Sequence, residues 1–293
     1  MTFLPLPHLM IEGPVRAALL EDLGHAGDIT TDAIVPADQR AETSLVARQA
    51  GVVAGLDVAA LAFRLIDPAI EMKVVLPDGS RVKAGGHIAT ISGPARGMLT
   101  AERVALNFLG HLSGVATATA TLVEAVNGHK TRICCTRKTM PGLRALQKYA
   151  VRAGGGVNHR FGLDDAVLIK DNHIAAAGGV AAAIRAARAG VGHMVKIEVE
   201  IDRLQQLEPA IDQKADAVLL DNMGPEALTE AVRFVDGRAV TEASGRITPE
   251  TAPAIAASGV DYISAGWLTH STQVLDIGLD WRPVSARAVR SAA

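Results

Sequence analysis

Arg137 and Lys138 stand together at the end of an apolar run, Ile133-Cys134-Cys135, just before a Pro-Gly break at residues 141–142. A guanidinium grips a carboxylate or phosphate through two parallel hydrogen bonds, and an ammonium adds a point charge. Similar polar punctuation closes later apolar runs. Lys170 ends "DAVLIK", Glu200 ends "KIEVE", Asp221 ends "DAVLLD", Ser244-Gly245 ends "AVTEASG" and Gly266 ends "VDYISAG". A glycine-rich stretch between the first two runs, "AGGGVNHRFG", adds His159 and Arg160. Taken singly, each is an ordinary surface charge; a series at equivalent places implies one pocket.

That pocket would collect the cations Arg137, Lys138, Arg160 and Lys170, with His159 as a fifth when protonated. Like charges brought together at partial burial repel one another strongly, so the arrangement makes sense for a ligand carrying several negative charges. Glu200 and Asp221 fit beside such a ligand if they hold a divalent cation; Mg²⁺ is commonly bound by one or two carboxylates together with substrate phosphate oxygens. Ser244-Gly245 and Gly266 offer backbone N–H groups to a phosphate. The residues therefore point to an enzyme with a phosphorylated substrate, a metal and a second, polyanionic substrate.

The elements that must position these groups follow from the rhythm of the chain. From about residue 130, strand-like apolar runs alternate with helical stretches such as "GLRALQKYAVRA", "GVAAAIRAARAG" and "PEALTEAVRFV". Near-continuous apolar strands alternating with helices imply a parallel sheet covered by helices. The strand ends Glu200, Asp221, Ser244 and Gly266 are 21, 23 and 22 residues apart, a compact βα repeat. No dinucleotide-binding glycine fingerprint follows any strand, so an α/β barrel is the expected fold, and barrels gather their reacting groups at the C-terminal ends of the strands.

The first 112 residues read as a separate α+β domain. A helix over 9–22 is expected to break at Gly13-Pro14, and "GHAGDITTDAIVP" reads as a polar loop with a capped turn at Asp28. "LDVAALAFRLI" has helical spacing, the stretch 71–94 is strand and turn, and a long helix is expected from Thr100, as N-cap, to about Val126. Residues 113–271 form the expected barrel domain. The final segment, 272–293, carries Leu275, Ile277 and Leu279 in alternation and reads as a strand returning to the first domain, followed by a frayed tail.

Bulk composition sets limits. The chain has 293 residues, 49% of them hydrophobic, and a formal net charge of −2. That balance argues against a general nucleic-acid or membrane-surface binder. No apolar run is long enough for a membrane span and no signal-peptide pattern opens the chain. The two cysteines, Cys134 and Cys135, are adjacent, which disfavours a disulfide and suits a reducing, cytoplasmic setting.

"TRKTMPGLRALQKYAVRAGGGVNHRFGLDDAVLIKDNHI", followed by "EVE", "LLDNM", "EASG" and "GVDYISAGWLTHS", resembles the quinolinate phosphoribosyltransferases; "EDLGHAGDITTDAIVP" and "AERVALNFLGHLSGVAT" extend the resemblance over nearly the whole chain. The resemblance implies an irregular barrel of about seven strands joined to an N-terminal α+β domain, working as a homodimer or larger assembly. It implies formation of nicotinate mononucleotide, carbon dioxide and pyrophosphate from quinolinate and phosphoribosyl pyrophosphate with Mg²⁺, in NAD biosynthesis. By position, Arg137, His159, Arg160 and Lys170 would hold the two carboxylates of quinolinate, with Arg103 of "AER" reaching in from the neighbouring subunit. Lys138 would lie near the departing pyrophosphate. Glu200 and Asp221 would hold the ribose hydroxyls and the metal, and Ser244, Gly245 and Gly266 would cradle the 5′-phosphate. Arg246 departs from the family pattern; it is read as pointing to solvent, with an added phosphate contact as the alternative.

Two other readings compete. A related transferase could use a base with a single carboxylate, although the number of cations favours two. A non-catalytic carrier module is suggested by residues 74–93, which resemble half of a lipoyl- or biotinyl-type sandwich. Lys83 there lacks a flanking motif and no second half follows.

Overall fold

A computed structural model describes residues 4–283, which divide into two compact units. Among these, unit one comprises residues 4–118, 140–154 and 271–283, and unit two residues 119–139 and 155–270. The tail expected beyond residue 283 lies outside the described residues.

Unit one opens with helices α1 (His8–Leu23) and α2 (Ile29–Ile34). The expected break at Gly13-Pro14 does not occur: Pro14 sits inside a continuous α1. Proline removes one backbone hydrogen bond, but Ile11, Val15 and Leu19 form a buried stripe that spans it and carries the helix through. The expected loop after α1 is instead partly helical. Asp28 caps α2 by accepting the Thr31 N–H at 2.9 Å, and Thr100 donates its hydroxyl to the other Asp28 oxygen at 3.1 Å.

Strands β1 (Arg40–Ala47), β2 (Gly51–Val52), β3 (Glu71–Val74), β4 (Arg81–Val82) and β5 (His87–Pro94) surround helix α3 (Leu56–Ile66) in sequence. The α3 face built from Val58, Ala59, Leu61, Ala62 and Phe63 is buried. A fully buried side chain of the Phe63 class contributes about 1.5–3 kcal/mol. The N-terminus of α3 is capped from a distance, since the buried Asp78 carboxylate accepts the N–H groups of Gly55 and Leu56 and the hydroxyl of Tyr149.

Helix α4 (Ala95–Ala125) starts directly after β5, so Thr100 is an interior residue and not its N-cap. Glycines 110 and 114 of α4 admit the returning C-terminal segment. Leu275 donates its N–H to the Gly110 carbonyl at 3.0 Å, and a Cβ on Gly114 would collide with the Gln273 carbonyl.

In unit two, strands β6 (Arg132–Cys134), β7 (Val167–Ile169), β8 (Ile197–Ile201), β9 (Ala217–Asp221), β10 (Val240–Ser244) and β11 (Tyr262–Ser264) form one parallel sheet in the order β6-β11-β10-β9-β8-β7. A parallel bridge from Cys134 to Val157 adds a one-residue seventh strand beside β6, between β6 and β7 in sequence. Strand order around the ring thus follows chain order, the mark of an irregular TIM-like α/β barrel; no ladder joins Val157 to β7 among the described residues.

Helices α7 (Val180–Gly190), α8 (Leu207–Asp212), α9 (Pro225–Val235) and α10 (Ala252–Ala257) alternate with these strands. Helix α5 (Arg144–Ala153) falls in unit one. Two short helices went unread in the sequence: α6 (Asp171–Ala177) directly after Lys170, and α11 (Trp267–His270) directly after Gly266. Strand β12 (Ile277–Pro283) pairs antiparallel with β1 and completes the sheet β12-β1-β5-β3, as the alternation of Leu275, Ile277 and Leu279 suggested. None of the described helices is long and apolar enough to cross a membrane.

Candidate active site

A cavity of about 670 Å³ opens at the C-terminal ends of the unit-two strands. Ten of the eleven residues named from sequence line it: Arg137, Lys138, His159, Arg160, Lys170, Glu200, Asp221, Ser244, Gly245 and Gly266. The eleventh, Arg103, is exposed on α4 in unit one and is not part of this lining.

Strand register explains the convergence. Glu200, Leu219 and Glu242 share one row of the parallel ladder, and Asp221, Ser244 and Ser264 share the row two residues further on. Positions two apart face the same side of a strand, so both rows present their side chains to the cavity. Glu198 lies on that same face one step deeper. It is 9% exposed and absent from the lining, so Glu200 and not Glu198 stands at the cavity surface.

The loop after β6 is fixed by its own hydrogen bonds. Thr136 Oγ1 accepts the Lys138 N–H at 3.0 Å, and Thr269 Oγ1 donates to the Lys138 carbonyl at 2.7 Å. Arg160 donates to the Ala166 carbonyl at 2.9 Å across a turn that Asp165 closes by accepting the N–H groups of Phe161 and Gly162. Burial, and then the neighbouring Arg137 charge, pull the Arg160 pKa below its ordinary value. The Nε atoms of both Arg137 and Arg160 are buried without a hydrogen-bond partner. Two adjacent guanidiniums held this way suit an anion with more than one charged group.

Acidic groups occupy other parts of the wall. Lys170 Nζ lies 3.1 Å from Glu200 Oε2, and Asn222 Nδ2 donates to Asp221 Oδ2 at 2.6 Å. Below them His159 Nδ1 accepts the Arg160 N–H at 2.8 Å, which puts the proton of a neutral ring on Nε2, 2.8 Å from Glu198 Oε2. Glu242 Oε2 is 3.9 Å from the same Nε2. Burial, followed by the Glu198 charge, pushes the Glu242 pKa up to about 7.

Backbone groups crowd the far wall. Gly245 has φ +101° and a Cβ there would strike the Asn222 side chain. At Gly266 a Cβ would lie 2.8 Å from Lys138 Cδ. Both glycines therefore let a ligand and the opposing chain approach the backbone closely.

Sequence reading passed over Thr136, Asn222, Glu242, Ser264 and His270, all in the lining. Arg246, read as solvent-facing, also lines the cavity, in the left-handed conformation with φ 49°. Glu242 carried a usable signal: it sits two residues before Ser244 in an otherwise apolar run, on the same strand face. His173 has its place in the local structure, its Nδ1 accepting the Lys170 N–H at 2.9 Å at the start of α6.

Comparison with known proteins decides the family. The model of the quinolinate phosphoribosyl transferase N-terminal domain matches residues 28–113, and that of the C-terminal domain matches residues 115–280. The chain belongs to the quinolinate phosphoribosyltransferase family. Within it, the nicotinate-nucleotide pyrophosphorylase [carboxylating] of Mycobacterium leprae is 49% identical over 271 residues, covering 91% of this chain and 95% of that protein. The probable enzyme of the same name from Bacillus subtilis is 45% identical, covering 93% and 94%. Among solved structures, NadC from Streptococcus pyogenes superimposes with a TM-score of 0.93 at 42% identity, over 96% of this chain and all of that one.

Proposed function

We propose that this protein is a decarboxylating quinolinate phosphoribosyltransferase. It joins the phosphoribosyl group of phosphoribosyl pyrophosphate to quinolinate and releases pyrophosphate and carbon dioxide, leaving nicotinate mononucleotide for NAD biosynthesis. Relatives that bear the corresponding names match over nine-tenths of the chain. The observation that carries the reading at the site is the pair Arg137–Arg160, with both Nε atoms buried and unpartnered in a cavity that also presents Glu200 and Asp221.

The chemistry can be built from these side chains. Arg137, Arg160 and Lys170 bind the two carboxylates of the pyridine and orient its nitrogen toward the ribose, and His159, through its bond to the Arg160 N–H, steadies Arg160 beside them. Lys138 faces the departing pyrophosphate. Ser244, Gly245 and Gly266 offer the narrow backbone wall on which a 5′-phosphate fits, with Arg246 adding charge from the same loop. As pyrophosphate leaves, positive charge grows on the ribose carbon, and Glu200 and Asp221 favour it electrostatically. Nitrogen attack then makes a quaternary ring that stabilises the carbanion left by decarboxylation. Orientation and preorganised charge supply the rate, with no covalent enzyme intermediate.

Glu200 and Asp221 form an all-oxygen, partly exposed donor set, which fits Mg²⁺. Bound there, Mg²⁺ would neutralise charge on the pyrophosphate. Arg103 is exposed and outside the cavity of its own chain, which supports a homodimer or larger assembly in which it completes a neighbour's cavity. The two buried, adjacent cysteines suit a reducing cytoplasm.

The test is pyrophosphate release with phosphoribosyl pyrophosphate and Mg²⁺, with quinolinate and nicotinate offered separately. Release with quinolinate alone is expected. Release with nicotinate alone would keep a phosphoribosyl transferase and discard the dicarboxylate pocket.

A further inference from the structure

Decarboxylation leaves an electron pair on the ring carbon next to the quaternised nitrogen, and the product carries hydrogen at that carbon. A proton has to be delivered there. The roles assigned above supply none: arginines hold their protons, Lys138 faces the departing pyrophosphate, Lys170 is engaged by Glu200, His159 Nε2 is engaged by Glu198, and Glu200 and Asp221 act as anions. The inference below rests on the proposed reaction and completes it.

The floor of the cavity holds a group suited to the task. Glu242 is 5% exposed, belongs to the cavity lining, and its Oε1 is buried without a hydrogen-bond partner. The nearest ring nitrogen, His159 Nε2, is committed to Glu198 at 2.8 Å, leaving Glu242 Oε2 at 3.9 Å. His159, Glu198 and Glu242 have ligand atoms within 4.8 Å of one another, the spacing of a metal site. A metal is disfavoured because both ring nitrogens are already in use, Nδ1 by the Arg160 N–H and Nε2 by Glu198. What remains is a buried carboxyl beside a buried carboxylate. In such a pair one member holds a proton.

We propose that Glu242 is the catalytic acid that protonates the ring carbon vacated by carbon dioxide. The bond between ring carbon and carboxylate breaks and its electron pair stays on the carbon. In the same step the Glu242 O–H bond breaks and that electron pair forms the new C–H bond, leaving a Glu242 carboxylate. Water returns a proton to it after the product departs, so each turnover consumes one solvent proton at this residue.

The protonation state follows from what faces the carboxyl. Glu198 from β8 repels its ionised form, and His159 from the loop before β7 partly offsets this. Ser264 from β11 favours ionisation by hydrogen bonding, whereas Cys135 beyond β6 opposes it. Burial is the largest influence, and the balance leaves a pKa of about 7. The acid is thus partly loaded in neutral solution and emptied in alkaline solution.

The experiment is a single turnover with excess enzyme, phosphoribosyl pyrophosphate, Mg²⁺ and quinolinate labelled in the carboxylate beside the ring nitrogen, stopped by acid at intervals. For Glu242→Gln the ratio of carbon dioxide release to pyrophosphate release should fall at least about 100-fold, the ordinary scale of a lost general acid. A nucleotide retaining both carboxylates should accumulate. In the unaltered enzyme, carbon dioxide release should slow as pH rises through about 7, while pyrophosphate release does not share that limb. Equal loss of both rates in Glu242→Gln, or no change in their ratio, would overturn the proposal. Should that variant not fold, carbon dioxide release that stays flat across neutral pH in the unaltered enzyme overturns it equally. An unaltered enzyme that releases no pyrophosphate from quinolinate would instead remove the proposed function, and this step with it.

Discussion

Replacing Glu242 by glutamine should make the protein more stable in mildly alkaline solution and less so in acid. The folded chain holds the Glu242 proton up to a pKa of about 7, against an ordinary value of 4.5. Between those two values the folded state binds more protons than the unfolded chain, so stability falls as pH rises through that window and levels off above it. A gap of roughly two and a half units at about 1.4 kcal/mol per unit makes the ionised group cost roughly 3 kcal/mol at pH 8. Glutamine cannot ionise and escapes this cost, although its buried amide forfeits about 1–2 kcal/mol where hydrogen bonds go unmade. The net expectation is a gain of about 1–2 kcal/mol for Glu242→Gln at pH 8, reversing to a loss at about pH 5. Urea midpoints of the two proteins, measured at intervals from pH 5 to about pH 8, read the crossing directly. Two curves that run parallel across this range would refute the reasoning, because they would mean that Glu242 titrates alike in the folded and unfolded chains.

Three further outcomes follow from other parts of the molecule. If Arg103 completes a neighbour's cavity, Arg103→Ala and Arg137→Ala proteins, each inactive alone, should regain about a quarter of normal activity when unfolded and refolded together, since half the dimers then contain one intact site; no recovery would place Arg103 elsewhere. Gly245→Ala introduces a side chain at φ +101° against Asn222, so the KM for phosphoribosyl pyrophosphate should rise more than about tenfold while quinolinate affinity, measured by calorimetry, changes little. Tyr149→Phe removes the 2.7 Å hydroxyl bond to buried Asp78, whose pKa burial already raises; a loss of about 1–2 kcal/mol is expected in urea denaturation, without a change in KM for either substrate.

Much of this architecture was legible because strong patterns wrote it. The barrel strands are short runs that end in a polar residue and recur at nearly constant spacing, and parallel pairing turns that spacing into rows of side chains on one face. That is why the eight residues read from strand ends share one cavity, where His159 and Arg160 of the glycine-rich stretch join them. Local propensity misled where tertiary contacts took over. Pro14 looked like a helix end, but the stripe Ile11-Val15-Leu19 holds α1 together across it. Thr100 looked like an N-cap, yet its hydroxyl serves Asp28 from within α4.

Within the site, the least legible residues were those whose importance depends on partners far along the chain. Glu242 reads as one acidic residue in "VTEAS" until Glu198 and His159 are brought beside it from 44 residues or more away in sequence. Arg246 gave no sign of its direction, because a left-handed backbone at φ 49° turns it toward the cavity and nothing in residue type announces that turn. Arg103 is the opposite case: its expected role came from family resemblance, and its exposed place on α4 supplies the geometry that a subunit-exchange experiment can probe.

Conversion of a pyridine dicarboxylate in the cationic cavity, with loss of one carboxylate, underlies every role assigned above. The most direct measurement is the stoichiometry of a complete reaction with quinolinate labelled in the carboxylate beside the ring nitrogen, phosphoribosyl pyrophosphate and Mg²⁺. One labelled carbon dioxide is expected for each pyrophosphate and each nicotinate mononucleotide, with none of the three formed when phosphoribosyl pyrophosphate is omitted. Pyrophosphate formed without labelled carbon dioxide, or no product at all from quinolinate with folded protein, would contradict it.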